Sequence, residues 1–316
     1  PSLTGKVEYR QVSFAYTEER PVLKNIDFIA YPGEMIALVG VSGAGKTTLL
    51  NIMNSYESVS QGEIELFEMI PGKKGYSAEN VRQHIGFVSH SLLEKFQDGE
   101  KVIDVVLSGI FKSIGLYKEY SDEHTKEAEK LLNLVGMLSY KDQYLGYLST
   151  GQKQKVMIAR ALIHQPDVLI LDEPTNGLDP QGIAEIRTLI RDIAADGKTI
   201  LLASHLLDEV QKVCSHFCVL RKGVKLHEGA VNDILGETNE IEISATNLQE
   251  LTDCMNALDA FDSVTRENGQ LVLTTREGIT SEQINKHCFE KGITLKKLVT
   301  RTKSLEQEFL KILQEK

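Results

Sequence analysis

Residues Gly40-Val41-Ser42-Gly43-Ala44-Gly45-Lys46-Thr47 form a complete G-x-x-x-x-G-K-[ST] sequence. The apolar run Met35-Ile36-Ala37-Leu38-Val39 precedes it and is typical of a strand buried on both faces. Residues 47–53 follow with the pattern of a helix. Because a phosphate-binding loop requires a strand before it and a helix after it, the stretch predicts an α/β fold with a nucleotide site.

The loop supplies several phosphate contacts. Backbone N–H groups from Ser42 to Thr47 can converge on the β-phosphate at the start of the helix. Glycines at positions 40, 43 and 45 let the backbone approach closely. Lys46 is expected to reach the β- and γ-phosphates, and the Thr47 hydroxyl to bind Mg²⁺. The predicted nucleotide-binding set here is Gly40, Val41, Ser42, Gly43, Ala44, Gly45, Lys46, Thr47 and Thr48.

Composition narrows the possible partners. The 316 residues carry a formal net charge of −10, with 41% apolar and 25% charged residues. Duplex nucleic acid and anionic lipid both require a basic surface, so neither is expected as the main partner. No apolar run approaches the ~20 residues that span a bilayer, and Pro1–Lys6 lacks the core of a signal peptide. Any link to a membrane is therefore expected to come through another subunit.

The cysteine pattern suggests thiols rather than a metal centre. Cys214-x-His216-x-Cys218 would place three ligand types on one strand face, but no fourth ligand follows from the sequence. We expect buried thiols in a reducing cytosol.

The order of predicted elements gives the architecture. Strands are predicted at 6–16, 26–31, 168–171 and 199–203, a helix at about 181–195, a hairpin at 217–223 and helices between 91 and 148. Alternating strands and helices indicate a mostly parallel sheet, with an antiparallel β portion from the first strands. We predict a domain over 1–236 with a helical insert at about 91–154.

Residues 237–316 have a different pattern. Glu267-Asn268-Gly269 separates two short strand candidates and is a hairpin signal. The predicted order is β-α-β-β-α-β followed by a last helix. This order predicts a small α+β, ferredoxin-like C-terminal domain.

Acidic residues end the second buried strand. Asp172 follows the apolar run 168–171, where its carboxylate could hold Mg²⁺ directly or through water. Glu173 is placed to act as the general base for an attacking water. His205 ends the next apolar strand, at 199–203.

Leu148-Ser149-Thr150-Gly151-Gln152 lies between the phosphate loop and Asp172. With Asp172-Glu173-Pro174-Thr175-Asn176-Gly177-Leu178-Asp179 and His205, this order of motifs resembles the ATP-binding cassette (ABC) family over roughly residues 6–235. The resemblance implies a P-loop NTPase fold of the ABC type and ATP with Mg²⁺ as ligands. The alternative of a P-loop kinase or GTPase leaves residues 148–152 unexplained.

The resemblance also assigns site residues. In the family the signature element contacts the γ-phosphate bound to the opposite subunit, so Ser149, Thr150, Gly151 and Gln152 would act across a head-to-tail homodimer or heterodimer. At the position of Thr150, the signature element of the family most often has glycine. The resemblance also places Asp179 in the loop after the acidic pair, Tyr16 against adenine, and His205 on the γ-phosphate.

His90 is the clearest departure from the family pattern. The family usually has glutamine at this position, where it touches Mg²⁺ and water and couples the insert to a membrane partner. A histidine could still form hydrogen bonds but would add sensitivity to pH.

The leading function is the ATP-hydrolysing subunit of a membrane transporter, bound to an integral permease on the cytoplasmic face of the membrane. The alternative is a non-transport ABC ATPase acting on ribosomes or DNA. Such proteins usually carry two cassettes, long coiled coils or basic arms. Residues 105–117 resemble molybdate-type ABC ATPases, whereas residues 304–310 resemble export-type tails, so the substrate stays open.

Overall fold

The computed structural model describes residues 5–17, 20–71, 73, 76–234, 237–276, 278–302 and 304–314. Its internal contacts divide the chain into two compact units. The first comprises Pro1–Val231 with Lys311–Lys316, and the second comprises Asn232–Leu310. The sequence-predicted boundary after residue 236 lies outside the described residues.

The first part of the chain supplies the phosphate loop and the strands around it. In order it contains β1 (Val7–Ala15), β2 (Pro21–Ala30), β3 (Met35–Val39), α1 (Lys46–Met53), β4 (Gln61–Leu66), α2 (Ala78–Gln83) and β5 (Ile85–Ser89).

The next part is helical. It contains α3 (His90–Leu93), α4 (Val102–Phe111), α5 (Asp122–Leu134), two short 3₁₀ turns (Leu138–Tyr140 and Leu145–Tyr147) and α6 (Thr150–Leu162). The apolar faces of α4, α5 and α6 pack together, and this packing buries Val105, Leu132 and Val156 completely. The predicted helical insert is therefore present.

The chain then returns to the sheet. It forms β6 (Val168–Asp172), α7 (Pro180–Ala195), β7 (Thr199–Ser204), α8 (Leu207–Val213), β8 (His216–Arg221), β9 (Val224–Ala230) and α9 (Val231–Ile234).

Two sheets organise the described part of the first unit. One has the strand order β5-β6-β7-β3-β8-β9, parallel throughout except for β9, which pairs antiparallel with β8. The other is antiparallel, with the order β2-β1-β4. Residues 168–171 are completely buried, as expected for a strand covered on both faces. The predicted combination of parallel core and antiparallel portion is confirmed.

The second unit is built on its own sheet. It contains β10 (Glu237–Ala245), α10 (Leu248–Asn256), β11 (Phe261–Glu267), β12 (Gln270–Thr275), α11 (Ser281–Glu290), β13 (Leu295–Thr302) and the start of α12 (Leu305–Gln314). Its strands are antiparallel in the order β11-β12-β10-β13, the split β-α-β arrangement of ferredoxin-like folds. Asn268 and Gly269 adopt positive φ angles of 49° and 77° in the predicted hairpin turn.

The two cysteines of the Cys-x-His-x-Cys sequence are buried, as predicted. Burial raises the pKa of both Cys214 and Cys218 to about 12, which keeps the thiols protonated. Of the three residues in this sequence, His216 and Cys218 lie on β8, whereas Cys214 follows the last residue of α8. Across the described residues, no helix combines the length and the apolarity needed to cross a membrane.

Candidate nucleotide site

The ends of three parallel strands bring the predicted site residues together. β3 leads into the phosphate loop, β6 ends at Asp172, and β7 ends at Ser204, directly before His205. Asp172 pairs with Ala203, and Val39 pairs with Ser204, so these ends lie at one edge of the sheet. In open α/β sheets, ligands bind at the carboxyl ends of the strands.

The phosphate loop reverses the chain before α1. Gly43 has a φ of 79°, and Gly45, at the N-cap of α1, has a φ of 102°. These angles favour glycine because they lie in the left-handed region. The loop therefore leads directly into the N-terminus of α1, where backbone N–H groups and the helix dipole favour an anion.

Lys46 reaches back across the loop that it follows. Its buried ammonium donates a hydrogen bond to the Gly40 carbonyl at 2.6 Å. The same Nζ lies 3.7 Å from Oε1 of Glu173. A cation is thus held inside the loop, where it can contact phosphate oxygens.

Thr47 and Asp172 form a pair of oxygen ligands. The Thr47 hydroxyl lies 3.0 Å from Oδ2 and 3.3 Å from Oδ1 of Asp172. Burial raises the pKa of Asp172, and the hydrogen bond from Thr47 opposes that rise. Hydroxyl and carboxylate oxygens are the ligand types that Mg²⁺ prefers, so this pair fits the metal.

Glu173 is held by contacts on both sides. Its backbone has a φ of 52°, and its N–H donates to the Ala203 carbonyl at 2.9 Å. Its Oε2 lies 2.7 Å from Nδ1 of His205. Glu173 thus combines an unfavourable left-handed backbone with a carboxylate that lies near both Lys46 and His205.

His90 occupies the same edge but has a different partner. It follows Ser89, which pairs with Asp172 across the sheet. Its exposed ring lies 3.4 Å from the carboxylate of Glu94, one turn along α3. Within the described residues, no hydrogen bond or ion pair joins His90 to Asp172 or Glu173.

The signature residues form the start of α6. Ser149 is the N-cap, and its hydroxyl accepts from the Gln152 N–H at 3.3 Å. In return the Gln152 amide oxygen accepts from the Ser149 N–H at 2.9 Å. Thr150 and Gly151 occupy the first turn. Among the described contacts, none links these residues to the phosphate loop of the same chain.

The remaining predicted residues have structural partners of their own. Tyr16 is 56% exposed and meets Phe14 edge to face, with 4.9 Å between ring centroids. Thr48 is buried in α1. Asp179 caps α7, because its carboxylate accepts from the Gly182 N–H at 2.7 Å.

Gly223 supports the phosphate loop in a way that the sequence does not indicate. The Gly223 N–H donates to the Ala44 carbonyl at 3.0 Å, and the Gly223 carbonyl accepts from the Lys24 N–H at 2.8 Å. A Cβ at position 223 would meet the Val22 carbonyl oxygen, so only glycine fits. The hairpin turn at Lys222-Gly223 is predictable, but its contact with a loop nearly 180 residues earlier has no local signal.

Comparison with known proteins identifies the class. A family model described as "ABC transporter" matches residues 23–176. The energy-coupling factor transporter ATP-binding protein EcfA of Methanocaldococcus jannaschii is 32% identical over 87% of this chain and 97% of its own length. Nod factor export ATP-binding protein I of Burkholderia pseudomallei is 32% identical over 97% of this chain and 96% of its own.

A solved structure of an ATP-binding cassette is similar to this chain. The ATP-binding cassette MJ0796, determined as a dimer in a post-hydrolysis state with ADP and Pi, has a TM-score of 0.62 and 27% identity over 71% of this chain and 98% of its own. The chain therefore belongs to the ABC transporter family. Within that family it is an ATP-binding subunit that hydrolyses ATP.

Proposed function

We propose that two copies of this subunit, or this subunit and a related one, bind two ATP molecules between them. The phosphate loop of one copy would face the signature residues 149–152 of the other. The observation that carries this proposal concerns the start of α6. Its capping box is complete within one chain, and none of the described contacts joins it to the phosphate loop of that chain. The similarity to a cassette solved as a dimer supports it.

Each group at the strand ends then has a role. Loop N–H groups and Lys46 bind the phosphates, and Tyr16 stacks on the adenine. Thr47 and Asp172 would hold Mg²⁺, which offsets phosphate charge when bound. Glu173 takes a proton from the attacking water, while His205 orients that carboxylate and contacts the γ-phosphate.

Glu173→Gln tests this arrangement. The variant should bind ATP and remain a dimer, because it keeps the shape of the side chain but cannot accept the proton. Hydrolysis should fall by about 10²–10⁴-fold. Light scattering after size exclusion measures the dimer, with Glu123→Gln as an exposed control on α5. A monomeric Glu173→Gln protein at saturating ATP would contradict the shared site.

We infer that a membrane permease is the partner and that the subunit binds it at the cytoplasmic face of the membrane. A cavity of about 880 Å³ supports this inference. It lies between the core, at α2 and β5, and the helical insert, at α4 and α6, and residues flanking His90 line it. A segment bound there would sense movement between core and insert. Co-purification from native membranes, with mass spectrometry, identifies the partner.

We propose that residues 237–316 form an accessory domain of this subunit type. The relative from Burkholderia pseudomallei aligns with 97% of the chain, so its similarity extends into these residues. No phosphate-contacting residue of the proposed site lies there. The domain is therefore expected to act on the partner or on dimer stability rather than on ATP chemistry.

A further inference from the structure

The cavity between core and helical insert is strongly basic, although the chain as a whole is acidic. The chain carries 45 acidic against 35 basic side chains. In the lining of the cavity this balance is reversed, with Glu79 as the acidic member. The basic members of the lining are Arg82, Lys95, Lys112, Lys118 and Arg160.

Three of these cations contact neutral groups. The Arg82 guanidinium lies 5.9 Å from the centroid of the Tyr56 ring, and the Lys118 ammonium lies 5.4 Å from that of Phe111. Arg160 donates from Nε to the Ser108 hydroxyl at 3.1 Å. In the described part of the chain, no carboxylate lies within ion-pair distance of any of the five.

The electrostatics of the cavity favour an added negative charge. Desolvation, together with the nearby Arg82 and Arg160 cations, lowers the pKa of Lys112 to about 8. Burial lowers the pKa of Arg160 to about 10. An anionic group inside the cavity would offset this repulsion, because opposite charges attract and a bound segment would exclude water from the exposed Lys112 side chain.

The rest of the lining indicates the kind of occupant. Apolar side chains, including Phe87, Leu92 and Ile110, lie beside the cations. The volume of about 880 Å³ admits a short segment of a partner chain. An amphipathic segment with apolar and negatively charged side chains matches the mixed chemistry of this lining.

We infer that the permease segment bound in this cavity is acidic, and that at least one of its carboxylates pairs with Lys112 and Arg82. This inference rests on the proposed function. It adds the charge by which the subunit selects its permease, since electrostatic complementarity governs the choice and rate of association. A permease with a basic docking segment would meet like charges and would be excluded.

The test uses Lys112→Glu in the full chain, with Lys126→Glu as the matched control. Lys126 is exposed on α5 of the same helical insert and does not line the cavity. The probe is the permease subunit that co-purifies with the chain, placed in nanodiscs of neutral phosphatidylcholine. Association is measured by interferometry at low and at high salt.

Lys112→Glu should weaken binding by about tenfold or more, because the change places a negative charge against the carboxylate. Lys112→Gln should have an intermediate effect, and Lys126→Glu should stay within about twofold. Replacing an acidic residue of the docking segment by lysine should restore binding to Lys112→Glu. Unchanged or tighter binding by Lys112→Glu would overturn the inference, as would equal Lys112-dependent binding to permease-free nanodiscs of anionic lipid.

ATP-dependent dimerisation separates this inference from the proposed function. Lys112 has no contact with the phosphate loop in the described residues, so Lys112→Glu should dimerise and hydrolyse ATP like the unaltered protein. If both proteins dimerise and bind the permease equally well, only the charge inference fails. If the unaltered protein neither dimerises nor binds any permease, the proposed function fails first.

Discussion

His205 Nδ1 lies 2.7 Å from Oε2 of Glu173, and this contact joins the ends of two neighbouring parallel strands. The other carboxylate oxygen, Oε1, lies 3.7 Å from Nζ of Lys46. Glu173 thus links the phosphate loop to the end of β7. A shift of either neighbour would turn the carboxylate that is proposed to activate water.

Replacement of His205 tests that link. His205→Ala should lower kcat by about 10²–10³-fold, because the site loses a donor beside the reacting atoms. ATP affinity should change little, since the loop contacts remain. His205→Gln retains a donor and should recover part of the rate. Steady-state ATPase assays and nucleotide titration measure the two quantities, and a parallel loss of affinity in both variants would argue against an orienting role.

Removal of the Lys46 cation should affect binding itself. Lys46→Ala is expected to weaken ATP binding by about tenfold to a hundredfold, as a charge-assisted hydrogen bond contributes about 1.5–3 kcal/mol. Hydrolysis should fall with it. Fluorescence titration with a labelled nucleotide measures the affinity, and Lys126→Ala serves as a surface control. Near-normal ATPase activity of Lys46→Ala would remove the basis for the phosphate-loop assignment.

Thr47→Val tests the proposed Mg²⁺ site. Valine has a similar shape but lacks the hydroxyl that lies 3.0 Å from Asp172. The Mg²⁺ concentration needed for half-maximal ATPase activity should rise by about tenfold or more. Thr47→Ser keeps the hydroxyl and should behave like the unaltered protein. The proposal fails if the Mg²⁺ requirement of Thr47→Val is unchanged.

Ser149→Arg should abolish activity without weakening nucleotide binding to the single chain, because the added cation would enter the partner's site. Ser121→Arg is the matched control, since Ser121 also caps an insert helix through a capping box. Mixing Ser149→Arg with Lys46→Ala should restore some turnover, as one shared site then combines two intact halves. A silent mixture at every ratio, with dimers present, would contradict action across the dimer.

A chain ending at residue 237 should keep ATP binding, because the proposed phosphate contacts lie in the first unit. It should melt at a lower temperature, since Arg221 loses the Leu313 carbonyl to which it donates at 2.7 Å. Hydrogen bonds from charged groups contribute about 1.5–3 kcal/mol. Circular dichroism and nucleotide titration measure both effects. A folded truncation that fails to bind ATP would overturn the two-domain interpretation.

Long or strongly patterned elements are predictable from the sequence. The run at 35–39 coincides with β3, and the hairpins at 216–230 and 261–275 follow from their turn residues. β4 has a weak signal, because its six residues include Gly62 and two glutamates, which are uncommon in strands, and the strand depends on its pairing with β1. Local pattern alone does not identify such a strand.

The nucleotide site also contains some contacts that the sequence predicts and others that it does not. Parallel strand order predicts that Asp172 and His205 lie near the loop, because all three follow strand ends. The contact of His90 with Glu94 depends on a side-chain rotamer, which no motif specifies. The basic cavity combines Arg82, Lys112 and Arg160 from three separate elements, so its charge appears only when the chain is folded.

The capping box at Ser149 and Gln152 has a consequence for assembly kinetics. Because the two residues satisfy each other's hydrogen bonds, the first turn of α6 is already ordered in a single chain. A second copy therefore meets a rigid surface and does not have to fold it on contact. Preorganisation of this kind lowers the entropic barrier to association. In the proposed shared site, the nucleotide would govern the lifetime of the dimer, and hydrolysis would release two subunits whose contact surfaces are ready to pair again.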